Sequence, residues 1–225
     1  MQNAATDTTD NDALGPMAQV IQLSPAASNA LDEETARAEI YGVLSQLYYA
    51  APSTELLAAI RVAVTQAPAA GAFLEEPWAA LIGLAREMSE QALKDEYNAL
   101  FGGMSKPEVY LFGSHYLSGF LNEKPLVRLR DDLAKLGLER GESVFETEDH
   151  FAYLCEVMRF LIAGDDVTVS NLSQQKAFFG DHVQPWAMQM CDAITDYPKA
   201  RFYRALAEFT RAFISVETQG FDLLT

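Results

Sequence analysis

An Asp-His pair occupies positions 149 and 150, inside "FETEDHFAYLCEVMRFL", directly ahead of a strongly apolar run. Histidine is the commonest general acid or base, so Asp149 and His150 could between them move protons on a substrate. Adjacent side chains at a helix start point in different directions, which works against joint action on one atom. The structural readings are simpler. An acid in a first helical turn interacts favourably with the exposed amide dipoles, by ~0.3–1 kcal/mol, and a histidine titrating near its ordinary pKa of about 6.5 would make its contacts sensitive to pH. Glu156 follows on the same apolar run, too far along to sit beside His150 on a helix; it is either solvated on a narrow polar stripe or paired. Phe112, Ser114 and Tyr116 flank Gly113 in a loop-like stretch, where aromatic side chains often serve recognition, while Tyr97 lies on a helical pattern.

Other chemistries have no residues to run them. Neither a GxxxxGK[ST] phosphate cradle nor a GxGxxG turn occurs, and "FGGMSK" shares with them only glycines ahead of a lysine. The three histidines, His115, His150 and His182, are far apart, with no HExxH and no paired ExxH, so no metal site is expected. A GxSxG elbow is missing. Cys155 and Cys191 form no CxxC pair and sit in apolar stretches, which excludes a disulfide framework and fits a reducing cytoplasm.

The 225-residue chain is 49% hydrophobic, enough for one sizeable core, and its formal charge of −16 excludes nucleic acid as a partner, because phosphate neutralisation needs clustered Lys and Arg. Neutral or basic partners fit better. Residues 1–30 are rich in Ala, Asn, Asp, Thr, Ser and Pro, and ordering them would bury little apolar surface, so they are expected to form a flexible tail ahead of a helical domain over 31–225. The N-terminus lacks the basic and apolar regions of a secretory signal, and no run of ~18 apolar residues is present to span a bilayer.

The elements that must hold these side chains are helices. From Asp32 onward, Ile40, Val43, Leu44, Leu47 and Tyr48 lie on one stripe. Ser53 is a plausible N-cap for the next helix, and a third runs from near Pro77 to the Gly102-Gly103 pair. "KPLVRLRDDLAKLG" starts at Pro125 and closes at Gly137; "TEDHFAYLCEVMRFLIAG" starts with Thr147 as N-cap and closes at Gly164. Further helical patterns cover 174–179, 186–194 and 198–216. Alternating strand patterns are absent, so the fold class is all-α, a single helical domain of about eight or nine helices.

Three pieces taken together, "DEYNALFGG", "VYLFGSHYL" and "EDHFAYLCEVMRFL", resemble in content, order and spacing the TorD/NarJ/DmsD-like family of chaperones for redox enzymes. That family carries E-[YF]-x-x-L-F-x-G, then P-Y-x-S, then P-x-D-H with an L-E-F-M-like helix. Glu96, Tyr97, Leu100, Phe101 and Gly103 match the first piece; Phe112, Ser114 and Tyr116 the second; Asp149, His150, Leu154, Glu156 and Met158 the third. Leu111-Phe112 replaces the family's P-Y, and Thr147 its proline. The resemblance implies a TorD-like all-α fold and a cytoplasmic, non-enzymatic chaperone, without cofactor of its own, acting as monomer or homodimer. Its client would be the apo-form of a molybdenum-cofactor oxidoreductase, held through its twin-arginine leader while cofactor is inserted, before export. Asp149, His150, Phe112, Ser114, Tyr116, Glu156 and Tyr97 would contact the client, and an Asp149→Ala or His150→Ala change would weaken binding while shifting unfolding by only a few degrees. The alternative is a small all-α hydrolase or nucleotide-responsive protein using Asp149 and His150.

Overall fold

A computed structural model describes residues 25–63, 72–102, 106–121, 123–141 and 145–224. Most of the expected tail, residues 1–24, lies outside the described residues. The described chain up to Glu33 forms the first turns of α1 (Pro25–Tyr49), and the architecture below belongs to Glu34–Thr225. The further helices are α2 (Thr54–Val62), α3 (Ala72–Glu87), α4 (Glu90–Phe101), α5 (Gly113–Ser118), α6 (Lys124–Lys135), α7 (Phe151–Ala163), α8 (Leu172–Phe178), α9 (Gln184–Asp196) and α10 (Phe202–Asp222). A π-helical turn, Phe179–Val183, joins α8 to α9 without a break. Counted as continuous rods, the described residues form nine helices, in agreement with the all-α expectation, and the one β-type pairing among them is an isolated bridge between Phe112 and His150.

Local chemistry explains most boundaries. Ser53 caps α2 as expected, its Oγ accepting from Leu56 N at 3.2 Å. The third expected helix is two helices instead: the chain turns at Ser89, whose Oγ accepts from Ala92 N, and restarts as α4. A serine that can satisfy a free amide offers the backbone an alternative to continuing the helix. α6 carries Pro125 in its first turn, and Gly137 beyond its end has φ 70°.

α7 lies at the centre, with Phe151, Leu154, Cys155, Met158 and Leu161 almost without solvent contact. α10 packs along α3 and α9 and buries Phe202, Leu206, Phe209 and Phe213. Each such side chain contributes about 1.5–3 kcal/mol by leaving water. Buried carboxylates fix the ends of α10. Glu217 takes a forked contact from Arg37 at 2.7 and 2.9 Å and the Tyr41 hydroxyl at 3.0 Å, tying α10 to α1. Glu96 of α4 accepts the backbone amides of Arg201, Phe202 and Tyr203 at 2.8, 3.3 and 2.9 Å. Both cysteines are free and buried. Among the described residues no helix is long and apolar enough to cross a membrane.

Candidate functional site

The loop 145–150 enters α7 beside the segment 109–113, and the two are laced together by backbone. Gly113 N donates to Asp149 O at 2.9 Å and Phe151 N to Leu111 O at 2.8 Å. Gly113 also lies against Trp186, where an added Cβ would come within 2.9 Å of Nε1, so no larger residue fits that approach. Asp149, 3% exposed, completes the join: Oδ2 accepts from Ser114 N at 2.9 Å and Ser114 Oγ at 2.5 Å, and Oδ1 accepts from Thr147 Oγ1 at 2.6 Å. Glu148 anchors the loop on the other flank through Arg130 at 2.8 Å and Arg140 at 3.6 Å. Burial alone would raise the Glu148 pKa, but the Arg130 hydrogen bond, a backbone bond and the two guanidinium charges outweigh it and hold the carboxyl below its ordinary value.

His150, not Thr147, is the N-cap of α7: its Nδ1 accepts from Ala152 N at 3.2 Å, and its ring makes edge contacts with Phe112 and Tyr49. The proton is thereby assigned to Nε2. Burial lowers the His150 pKa to about 4 despite the nearby Asp149 charge, so the ring is neutral at physiological pH and does not act as a switch there. The sign of the resulting pH dependence is fixed. Below about pH 6.5 the unfolded chain takes up a proton that the folded one refuses until about pH 4, so stability is full above 6.5 and is lost as pH falls through that window, by about 3 kcal/mol. His182, lowered chiefly by burial against the raising effect of Asp132, adds in the same direction. A His150→Asn variant keeps an N-cap acceptor without the titration. Urea unfolding of this variant should show a much smaller loss between pH 7 and pH 5; an undiminished loss would show that His150 is not its source.

Asp149 and His150, adjacent in sequence, line different hollows. Asp149 and Ser114 border a cleft of about 390 Å³ between α5, α6 and the π-helical turn, with Leu117, Pro125, Leu129 and Trp186 as its apolar lining. His150 and Glu156 border a second hollow of about 230 Å³ with Tyr49, Ala152, Tyr153 and Glu146. A third, of about 380 Å³, shares Tyr153 and Glu156 with it and is lined further by Leu138, Glu139, Val157, Arg159 and Phe160. The two adjoin along α7, together the α7 groove, and their lining combines apolar side chains with the acids Glu139, Glu146 and Glu156.

Of the seven residues singled out in the sequence, His150 and Glu156 reach this groove. The others have packing roles. Ser114 is fully buried. Tyr116 stacks on Trp186 at 5.5 Å and donates its hydroxyl to Tyr110 O at 2.8 Å. Phe112 is half-buried against His150. Tyr97 donates to Tyr49 O at 2.7 Å, closing the end of α1, and burial raises its pKa to about 12. The recognition role expected from a loop-like 112–116 thus meets a helix start packed on Trp186. Glu156 is paired with Arg159 at 2.7 Å. Sequence reasoning missed Tyr49, Glu146, Tyr153 and Phe160. The signal was available for three of them: Tyr153, Glu156 and Phe160 share one face of α7, and Tyr49 falls outside the apolar stripe of α1. Among the described residues no cluster of three or more His, Cys, Asp or Glu side chains could hold a metal ion.

Residues 67–192 match the family model described as nitrate reductase delta subunit, a span that contains all seven residues. The chain is 26% identical over 210 residues to a chaperone protein TorD of Vibrio cholerae serotype O1 (classical Ogawa strain), covering 84% of this chain and 93% of that one. A TorD of the El Tor Inaba strain is 26% identical over 146 residues, 62% of this chain and 66% of its own. In fold, the chain is similar to the crystal structure of a candidate redox enzyme maturation protein from Archaeoglobus fulgidus, with a TM-score of 0.50 at 20% identity, over 81% of this chain and 93% of the other.

Proposed function

Given that the protein belongs to the nitrate reductase delta subunit (TorD/NarJ) family and is a non-catalytic redox-enzyme maturation chaperone, we propose that it holds the apo-form of a molybdenum-cofactor oxidoreductase by its twin-arginine leader, in the cytoplasm, while cofactor is inserted and before the client is exported. The observation that carries this reading is the groove on α7: an apolar floor of Tyr49, Ala152, Tyr153, Val157 and Phe160, edged by Glu139, Glu146 and Glu156. A leader combines a basic pair with an apolar stretch. Acids at the rim would orient the arginines, and the floor would take the apolar stretch as it orders. Micromolar affinity requires only about −8 kcal/mol, a modest demand on such a groove.

On this reading His150 and Glu156 touch the leader. Asp149, Ser114, Phe112, Tyr116 and Tyr97 hold the loop and the end of α1 that shape its wall. Residues 31–225 would form the chaperone domain, preceded by 1–30, of which 25–30 already belong to α1. The hydrolase alternative loses its physical basis, since Asp149 is consumed by Ser114 and Thr147 and faces a different hollow from His150.

The test is fluorescence anisotropy with a labelled synthetic peptide carrying an Arg-Arg pair followed by an apolar stretch. Removing an aromatic anchor commonly costs 1–2 kcal/mol, so Tyr153→Ala should weaken binding about tenfold. Binding to the wild type that Tyr153→Ala and Glu146→Lys leave unchanged would move the site elsewhere on the molecule.

A further inference from the structure

The two acids that share the His150 hollow are not equivalent. Glu146 makes no ion pair among the described residues, whereas Glu156 is already engaged by Arg159, whose Nε and one terminal nitrogen converge on Oε2 at 2.9 and 2.7 Å. Among the described residues Oε1 of Glu156 has no hydrogen-bond partner. The stem of Arg159 lies on Gly42 in the middle of α1, where an added Cβ would stand 3.1 Å from Arg159 Cδ. A glycine inside a helix costs about 0.5–1 kcal/mol relative to alanine, and here the space it leaves is filled by the arginine stem. The ion pair itself is open to water, with side chains 52% and 41% exposed. It therefore holds weakly and can exchange.

We propose that Arg159 is a built-in competitor for the guanidinium site of the α7 groove, occupying Glu156 until a client arginine displaces it. This rests on the reading of that groove as the leader site. The first arginine of the client meets Glu146, whose carboxylate makes no ion pair among the described residues although Arg140 donates to its backbone oxygen at 3.1 Å. The second approaches Glu156 at its free Oε1 and takes over the carboxylate as Arg159 swings into solvent. The arrangement sharpens specificity. A guanidinium offers the same planar fork as Arg159 and can replace it, while an ammonium presents a point charge without that fork and competes poorly. A single basic residue would settle on Glu146 and leave Glu156 closed. Arg159 is thus a specificity-determining residue for an arginine pair.

The experiment is a double-mutant cycle read by anisotropy with the same Arg-Arg peptide and a Lys-Lys counterpart, on full-length wild type, Arg159→Ala, Glu156→Gln and the double variant. An exposed helical ion pair is worth a few tenths of a kcal/mol, and removing a like charge from the site adds to this, so Arg159→Ala should tighten Arg-Arg binding roughly threefold. The gain should be larger for Lys-Lys, so that discrimination between the peptides shrinks. In the Glu156→Gln background the gain should shrink to the small part that comes from removing a like charge, because the competitor has nothing left to block. A gain that persists there in full would reflect net charge alone and overturn the proposal, as would an Arg159→Ala variant that binds no better than wild type. Those results differ from failure of the groove reading, in which the wild-type protein ignores the peptide or Tyr153→Ala leaves its binding unchanged; the competitor then falls with the site. Both substituted side chains are solvent-exposed, so unfolding midpoints close to the wild type are the folding control.

Discussion

Replacing Asp149 by alanine should lower the thermal midpoint by about 8–15 °C. The carboxylate accepts three hydrogen bonds at 2.5–2.9 Å in a site with 3% exposure, and the change takes from the buried amide and hydroxyl of Ser114 the acceptor they share. A buried donor left unsatisfied costs about 1–3 kcal/mol, and bonds to a charged acceptor are at the upper end, so the sum is about 3–5 kcal/mol. In a domain of this length each kcal/mol moves the midpoint by about 2–4 °C. A helix-start acid with a client contact, as the sequence alone suggests for Asp149, would cost only a few degrees. Asp149→Asn retains an acceptor and should fall between. Ser114→Ala removes the hydroxyl partner, so its cost and that of Asp149→Ala should be far from additive. Calorimetry on the wild type, these three variants and the Asp149→Ala/Ser114→Ala double variant decides the matter; a midpoint within ~3 °C of wild type for Asp149→Ala would show that the join between 109–114 and 145–150 does not depend on it.

Loss of the Glu96 carboxylate should be the other severe change. α10 begins at Phe202 after Arg201, whose side chain makes no capping bond, and its first amides are taken by Glu96 from α4. Local N-caps are worth about 0.5–2 kcal/mol, and a half-unit of positive dipole at the helix start adds to the attraction of an ionised acceptor. With three amides served at 9% exposure, Glu96→Ala should cost about 2–4 kcal/mol, a fall of roughly 5–12 °C. Because α10 packs along both α3 and α9, fraying should spread to them. Hydrogen exchange would show it as faster exchange at the start of α10 and in the facing turns of α3; protection confined to wild-type levels there would contradict the capping role. Glu96→Gln keeps an oxygen for the amides and should lose about half as much.

Glu96 shows how motif and mechanism separate. The sequence marks it as part of a family pattern, but its partners, Arg201 to Tyr203, are more than a hundred positions away. The same holds for Asp149 and His150. Their importance was readable from the motif, whereas their division of labour was not: one staples two segments together, the other caps α7 and borders the groove. Thr147, the expected cap, gives its hydroxyl to Asp149 instead. The break between α3 and α4 was visible in principle, since Ser89 followed by Glu90 is an ordinary helix start, but the apolar spacing on both sides masked it.

By itself the sequence determined the all-α class, most helix positions, the buried face of α7 and the family, because these depend on spacing and capping among near neighbours and on motifs kept in order. The tertiary structure alone decided which carboxylates are consumed in holding the fold and which lie at the surface beside the groove. Asp149, Glu96 and Glu217 are enclosed by donors from distant segments, while Glu146 and Glu156 are left beside Tyr49, Tyr153 and Phe160. Burial and pairing are properties of three-dimensional neighbours, and a periodic pattern along one helix does not specify what will be packed against its other face.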